Sequence, residues 1–205
     1  MKKFDLIKLP FNKNNPITVQ VLGICSCLAV TAQLKPAVVM ALSVTVVVAL
    51  ANLIISLLRK SIPPRIRIIV QLVVVSTLVI LVNQILMAFV YDVSKQLSVY
   101  VGLIITNCIV MGRLEAFAMS NKPMESLLDG IGNGLGYGVI LVILGFVREL
   151  FGSGTLWGYP VMEKLGLYKI GYENNGFIIM APMALILVGI IIWFQRSRNN
   201  DLCEK

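Results

Sequence analysis

The sequence predicts an all-α polytopic membrane protein with six transmembrane helices. Of its 205 residues, 58% are hydrophobic and only 14% are charged, whereas soluble domains carry roughly 25% charged residues. Six stretches of 17 to 24 residues contain no Asp, Glu, Lys or Arg, and about 20 apolar residues cross a bilayer core. Soluble enzyme folds and disordered chains are therefore excluded. The six stretches are 14–34, 36–58, 68–91, 96–112, 130–147 and 174–195.

Residues 1–16 are predicted to form a cytoplasmic N-terminal segment. They are charged and have no apolar core before a small-residue cleavage site, unlike a signal peptide. With six spans, both termini share a side with the second–third and fourth–fifth loops. That side carries thirteen of the 18 Lys and Arg residues, and the other side carries five. The positive-inside rule therefore places both termini, including the tail 196–205, in the cytoplasm.

The net charge of +8 also raises the question of a nucleic-acid partner. The basic residues are spread over loop ends and do not form one face with aromatic side chains, so we predict no nucleic-acid binding. The lipid bilayer is the expected environment. Histidine is absent, which removes the usual general base and most zinc sites.

The spans divide into two halves, residues 17–91 and 92–195, which predict two inverted three-helix repeats. Three helices per half is an odd number, so the second half must cross the membrane in the opposite sense. The first and fourth spans, about 17–32 and about 97–111, are the shortest, and each contains cysteine. Short or interrupted spans at matching places of inverted halves indicate a site near the membrane midplane. The longest polar connection, 149–176, faces outward in this topology.

Cys25 and Cys108 are the candidate metal ligands. At 1.5 Å per residue the thiols lie ~12 Å and ~16 Å from opposite faces, and thus near the middle of a core ~30 Å thick. Small and polar neighbours, including Ser26, suit backbone that unwinds around a ligand. The alternative, that both cysteines only pack as small apolar side chains, stays open on these residues. The backbone expected around the ligand belongs to Gly23, Ile24, Thr106 and Asn107.

Two thiols cannot fill the four-cysteine site of an iron–sulfur cluster. If a [2Fe–2S] cluster is bound here, another chain must supply two more thiolates. Cys27 would point roughly 200° away from Cys25 on a helix, so we interpret it as a packing residue.

Asp129 and Asn83 are the candidate residues of a cation path. Asp129 is the acid closest to an apolar span, and a solvated helix cap is the alternative interpretation. Asn83 lies deep in the third span, where an amide can line a path or bond across helices.

Two further features belong to the fifth span. The run DGIGNGLGYG places glycine at every second position from 130 to 138. No strand precedes it, so it does not match a dinucleotide-binding loop, and it predicts close helix packing. Arg148 and Glu149, at the end of this span, are interpreted as an interfacial anchor.

Five segments carry a resemblance to a known family. The chain resembles the NqrD/RnfE family, whose members are membrane subunits of Na+-translocating NADH:quinone reductases (NQR) and of Rnf complexes, over nearly its whole length. The segments are NNPI with QVLGICS (14–26), RIRIIVQ (65–71), KQLSVYVGLIITNCIVMGR (95–113), EAFAM (115–119) and DGIGNGLGYGVILVILGFVRELFGSG (129–154).

The resemblance implies that NqrD and its paralogue NqrE have opposite orientations and share one intramembrane [2Fe–2S] cluster, with two cysteines from each. In this chain the ligands would be Cys25 and Cys108. Cys27 stands where the family often has alanine, which leaves open whether it replaces Cys25. Asn83 stands where many members have aspartate.

In the family, the cluster relays electrons across the bacterial inner membrane in a six-subunit complex that exports Na+. NADH, FAD, FMN and ubiquinone would be bound by other subunits, and no catalysis is expected from the isolated chain. Three alternatives stay open: the equivalent subunit of an Rnf ferredoxin:NAD oxidoreductase, a secondary transporter, and a structural scaffold. A transporter or scaffold would tolerate Cys→Ser at positions 25 and 108, whereas a cluster-binding subunit would not.

Overall fold

The fold is helical, and the computed structural model describes residues 15–89, 102–157, 159–160 and 176–198. The described residues leave out most of the predicted segments 1–16 and 196–205, most of loop 149–176 and the start of the fourth span. The α-helices are α1 (Ile24–Val30), α2 (Leu34–Leu58), α3 (Arg67–Phe89), α4 (Cys108–Arg113), α5 (Pro123–Gly152) and α6 (Ala181–Arg198). The other elements are a π-helix (Leu114–Ala118), a 3₁₀ helix (Gly176–Ile179) and the antiparallel strands β1 (Thr155–Leu156) and β2 (Tyr159–Pro160).

Three of these helices, α2, α3 and α5, are long and apolar enough to cross a membrane. α6 is apolar but shorter. α1 and α4 have only 7 and 6 residues, far fewer than the roughly 20 that a complete span needs. The helical, polytopic class is thus confirmed, whereas six complete spans stay a prediction.

The first predicted span, about 17–32, is not one continuous helix, and the break lies within QVLGICS (20–26), as the sequence predicts. The helix begins only at Ile24, after a turn in which the carbonyl of Asn15 accepts the N–H of Val19 at 3.0 Å. Gly23 ends this irregular segment with φ at +81°, a left-handed conformation that glycine adopts without steric cost.

The fourth span is broken in the same way. A helical turn at 102–105 is followed by Thr106 and Asn107, which leave the helix, and α4 then begins at Cys108. The predicted interruptions therefore exist. The segments before both cysteines are irregular, so a rise of 1.5 Å per residue does not apply along all of their length.

The α2–α5 pair is the most extensive helix contact in the described part of the fold, and small residues bring the two helices together. A Cβ at Gly134 would lie only 2.7 Å from the Cα of Thr45, so no side chain fits there. The facing residues run in opposite order along the two helices, which makes the pair antiparallel. This confirms the packing predicted for the glycine run. The facing pairs are Gly130 with Ala49, Gly134 with Thr45, Gly138 with Ala41, and Gly145 with Ala37.

The loop after α2 and the segment before α5 lie at the same end of the fold. Arg59 donates to the carbonyl of Asn121 at 2.8 Å, and Arg67 forms an ion pair with Glu115. The predicted topology requires this arrangement, because it assigns both segments to the side rich in Lys and Arg.

Candidate functional site

The two helix breaks that carry the candidate cysteines meet in the interior of the chain. Asn107, the N-cap of α4, donates from Nδ2 to the hydroxyl of Ser26 at 3.1 Å. The hydroxyls of Ser26 and Tyr137 are 2.6 Å apart, and Asn107 Nδ2 lies 3.5 Å from the same Tyr137 oxygen. All three side chains are buried. The residues that directly adjoin Cys25 and Cys108 are thereby joined.

This meeting point is level with the middle of α5. Tyr137 lies halfway along that helix, and Asn15, in the first irregular segment, donates to the carbonyl of Gly136 at 3.4 Å. Tyr137 was missed by sequence reasoning, although a single tyrosine within a glycine run was a usable signal. Contacts to α5 therefore place both breaks level with the middle of that helix.

From this level, α1 and α4 run toward opposite ends of α5. At the end of α1, Leu28 and Thr31 accept hydrogen bonds from Arg148, near the last turn of α5. At the end of α4, Arg113 donates to Asp129, near the first turns of α5. Two helices that start together and run in opposite directions are what inverted halves would produce.

The cysteines differ in exposure. Cys25 and Cys108 are both exposed on the surface of this chain, whereas Cys27 is only 1% exposed. Within the described ranges, no group of three or more His, Cys, Asp or Glu residues could hold a metal by itself. Two outward-facing thiols fit half of a four-thiolate [2Fe–2S] site, so the donor set suits a cluster completed by another chain.

The backbone around the cysteines is tightly packed. A Cβ at Gly23 would lie 3.0 Å from the Tyr137 ring and 3.3 Å from Asn107 Oδ1. Asn107 Oδ1 in turn accepts the N–H of Ile109 at 3.3 Å and so caps α4. Ile24 is the first residue of α1, and Thr106 is exposed beside Cys108.

Asp129 is buried, so its interpretation as a solvated cap is wrong. The residue is 3% exposed, and its carboxylate accepts hydrogen bonds from Arg113 and from Asn133, the latter at 3.0 Å. Asn83, the other candidate for a cation path, lies on α3. Its Oδ1 is buried and has no hydrogen-bond partner among the residues that the structure describes.

Arg148 is 1% exposed, which contradicts its prediction as an interfacial anchor. Glu149, 5% exposed, accepts the N–H groups of Leu34 and Trp157, so it caps the start of α2 and holds the turn before β2. Helix-end groups surround both side chains, because α1, α2 and the 3₁₀ helix all have a terminus at this end of α5.

Comparisons with a family model and with individual known proteins point to the same family. Residues 4–192 match the model of the Rnf-Nqr family, described as "Rnf-Nqr subunit, membrane protein". The chain is 56% identical over 198 residues to the NqrD subunit of the Na(+)-translocating NADH-quinone reductase of Serratia proteamaculans, covering 96% of this chain and 93% of that protein. It is 55% identical over 203 residues to the same subunit of Haemophilus influenzae, covering 98% and 96%.

Proposed function

Because the chain belongs to the Rnf-Nqr family of membrane subunits, among the NqrD chains of Na+-translocating NADH-quinone reductases, we propose that it binds half of an intramembrane [2Fe–2S] cluster. Cys25 and Cys108 are the two ligands from this chain, and the paralogous NqrE chain supplies the other two. The observation that supports this proposal most directly is that both thiols are exposed and lie at helix breaks. A hydrogen bond between Asn107 and Ser26 connects these two breaks.

The exposure of the two thiols supports a shared site over a packing role. A cysteine that only packs is among the most buried residue types, as Cys27 is in this chain. Cys25 and Cys108 are instead exposed, and each adjoins a buried residue that contacts Tyr137. A thiolate pair on an outer surface at mid-membrane depth needs a partner chain to exclude lipid and complete the ligand set.

The bound cluster would accept and donate one electron at a time, which lets the protein relay electrons across the membrane. The chain's own residues bind and orient it. Cys25 and Cys108 provide thiolates, Gly23 lets the backbone turn beneath them, and the bond between Ser26 and Asn107 fixes their spacing. In the complex this relay is coupled to Na+ export, while NADH, FAD, FMN and the quinone belong to other subunits.

The proposed membrane topology has six spans in two inverted three-helix repeats, 17–91 and 92–195, with both termini in the cytoplasm of a bacterial cell. It is supported by the opposite directions of α1 and α4 along α5. The shared location of Arg59, Arg67 and Lys122 at one end of the fold agrees with a cytoplasmic face. A cation path through Asp129 and Asn83 stays part of the proposal.

The test is iron analysis and low-temperature EPR of the purified membrane complex. Cys25→Ala and Cys108→Ala should each remove one [2Fe–2S] signal and its two irons while NADH oxidation by artificial acceptors continues. Cys27→Ala, two residues from Cys25, is the matched control and should keep both the EPR signal and the iron. Unchanged iron in the first two variants would overturn the proposal, and loss of iron only in Cys27→Ala would move the ligand to that thiol.

A further inference from the structure

We propose that Arg148 is a positioning residue for the cluster: it fixes α1, which carries Cys25, and places a buried positive charge at the other end of this short helix. The inference rests on the proposed function, because it concerns the cluster that Cys25 is proposed to bind. Arg148 is not one of the proposed ligands and touches neither thiol.

The guanidinium of Arg148 connects three elements. From α5, its Nη1 donates to the carbonyl of Leu28 at 3.3 Å and to the hydroxyl of Thr31, both at the end of α1. Its Nε donates to the carbonyl of Ile178 at 3.3 Å, and its Nη2 donates to that of Ile179, in the 3₁₀ helix before α6. Because α1 has only seven residues, this contact holds the far end of a helix whose near end carries Cys25.

The positive charges of Arg148 and Arg113 are compensated by different kinds of group. Arg113 is paired with the carboxylate of Asp129, whereas the partners of Arg148 among the described residues are carbonyl and hydroxyl oxygens. The nearby carboxylate of Glu149 accepts the N–H groups of Leu34 and Trp157. Burial of an ion requires compensation, and here it comes from helix carbonyls, including the negative end of the α1 dipole.

The α1 residues that Arg148 contacts lie within two helical turns of Cys25. Leu28 and Thr31 follow Cys25 by three and six residues, which corresponds to ~4.5 and ~9 Å along a helix. A four-thiolate [2Fe–2S] cluster is anionic and becomes more negative on reduction. A positive charge at this range in a low-dielectric interior therefore stabilises the reduced form. Removing the charge should shift the midpoint potential to more negative values.

The experiment is an EPR-monitored redox titration of the purified complex carrying Arg148→Gln or Arg148→Lys. Arg65→Gln is the matched control, because Arg65 is exposed in the loop between α2 and α3. Arg148→Gln should lower the midpoint potential, whereas Arg148→Lys and Arg65→Gln should keep the wild-type value. Because the contacts with α1 and the 3₁₀ helix use three guanidinium nitrogens and lysine has only one, Arg148→Lys should hold α1 less firmly and lose iron faster to a chelator than wild type.

The outcomes separate this inference from the proposed function. Full iron and a wild-type potential in Arg148→Gln would overturn the charge effect while leaving the cluster assignment intact. If Arg148→Gln yields no complex, Arg148→Lys decides: faster iron loss supports the positioning role, and an unchanged rate overturns it. If Cys25→Ala keeps its iron, the proposed function itself fails, and the inference about Arg148 fails with it.

Discussion

The side-chain amide of Asn107 donates a 3.1 Å hydrogen bond to the hydroxyl of Ser26. Cys25 and Cys108 each adjoin one of these two residues in the chain, at a Cα separation of about 3.8 Å. A buried contact therefore joins the two broken spans at the residues next to the cysteines.

Asn107→Ser should loosen this contact while keeping the start of α4. Serine is also a good N-cap, but its hydroxyl is too short to reach Ser26. We expect the complex to assemble with less iron per complex and an altered EPR spectrum. Asn121→Ser is the control, because the amide of Asn121 donates to the carbonyl of Phe117 in its own turn, away from the breaks. Full iron with an unchanged spectrum in Asn107→Ser would contradict this role.

Tyr137→Phe should lower the stability of the complex only slightly. The ring still fills its place against Gly23, and Ser26 and Asn107 remain bonded to each other, so the loss should be about 1 kcal/mol. Tyr137→Ala should cost about 3–5 kcal/mol through the cavity it leaves. Thermal unfolding of the complex, with iron content, measures both. Equal stability of the two variants would show that the buried ring is not part of the core.

Gly134→Ala should separate α2 from α5. The added Cβ would lie 2.7 Å from the Cα of Thr45, and relieving such a contact between backbones costs about 1–3 kcal/mol or more. Gly189→Ala on α6 is the control, since a Cβ there meets nothing within 4 Å and alanine favours the helix. The yield and thermal stability of the complex should fall only for Gly134→Ala, and a similar effect of both changes would contradict the packing argument.

The sequence was sufficient to predict the helical membrane class, the interruptions at both cysteines and the packing role of the glycine run. These follow from local properties, namely charge-free length, polar residues inside apolar spans, and spacing. It could not predict that Tyr137 connects the two breaks or that Arg148 is buried, because both depend on which helices meet. Nor could it predict the contact of Asn15 with α5 beside the irregular turn before α1, because that contact also depends on how the segments pack.

Asp129→Asn should destabilise the complex by leaving Arg113 buried without a counter-charge. Breaking a buried ion pair by removing one partner costs about 3–5 kcal/mol, whereas replacing both partners by apolar residues is often neutral. The double variant Arg113→Met with Asp129→Leu should therefore be more stable than Asp129→Asn alone. Thermal unfolding of the three complexes checks this order. A double variant as unstable as the single one would indicate that the pair is required for more than charge balance.

Asn83→Leu should raise the Na+ concentration needed for half-maximal quinone reduction, if the predicted cation path passes this residue. The Oδ1 of Asn83 is buried, and no hydrogen-bond partner is found for it among the described residues, so it is available to a cation. Asparagine and carboxylate oxygens are the ligands that hard cations prefer. Asn83→Asp should accordingly lower the Na+ requirement or leave it unchanged.

Gln84→Leu, a change of amide to leucine at the exposed neighbouring position, is the matched control for Asn83→Leu. Because leucine can also disturb packing, the Na+ dependence is compared at equal content of assembled complex. An Asn83→Leu complex with the wild-type Na+ dependence would remove Asn83 from the path.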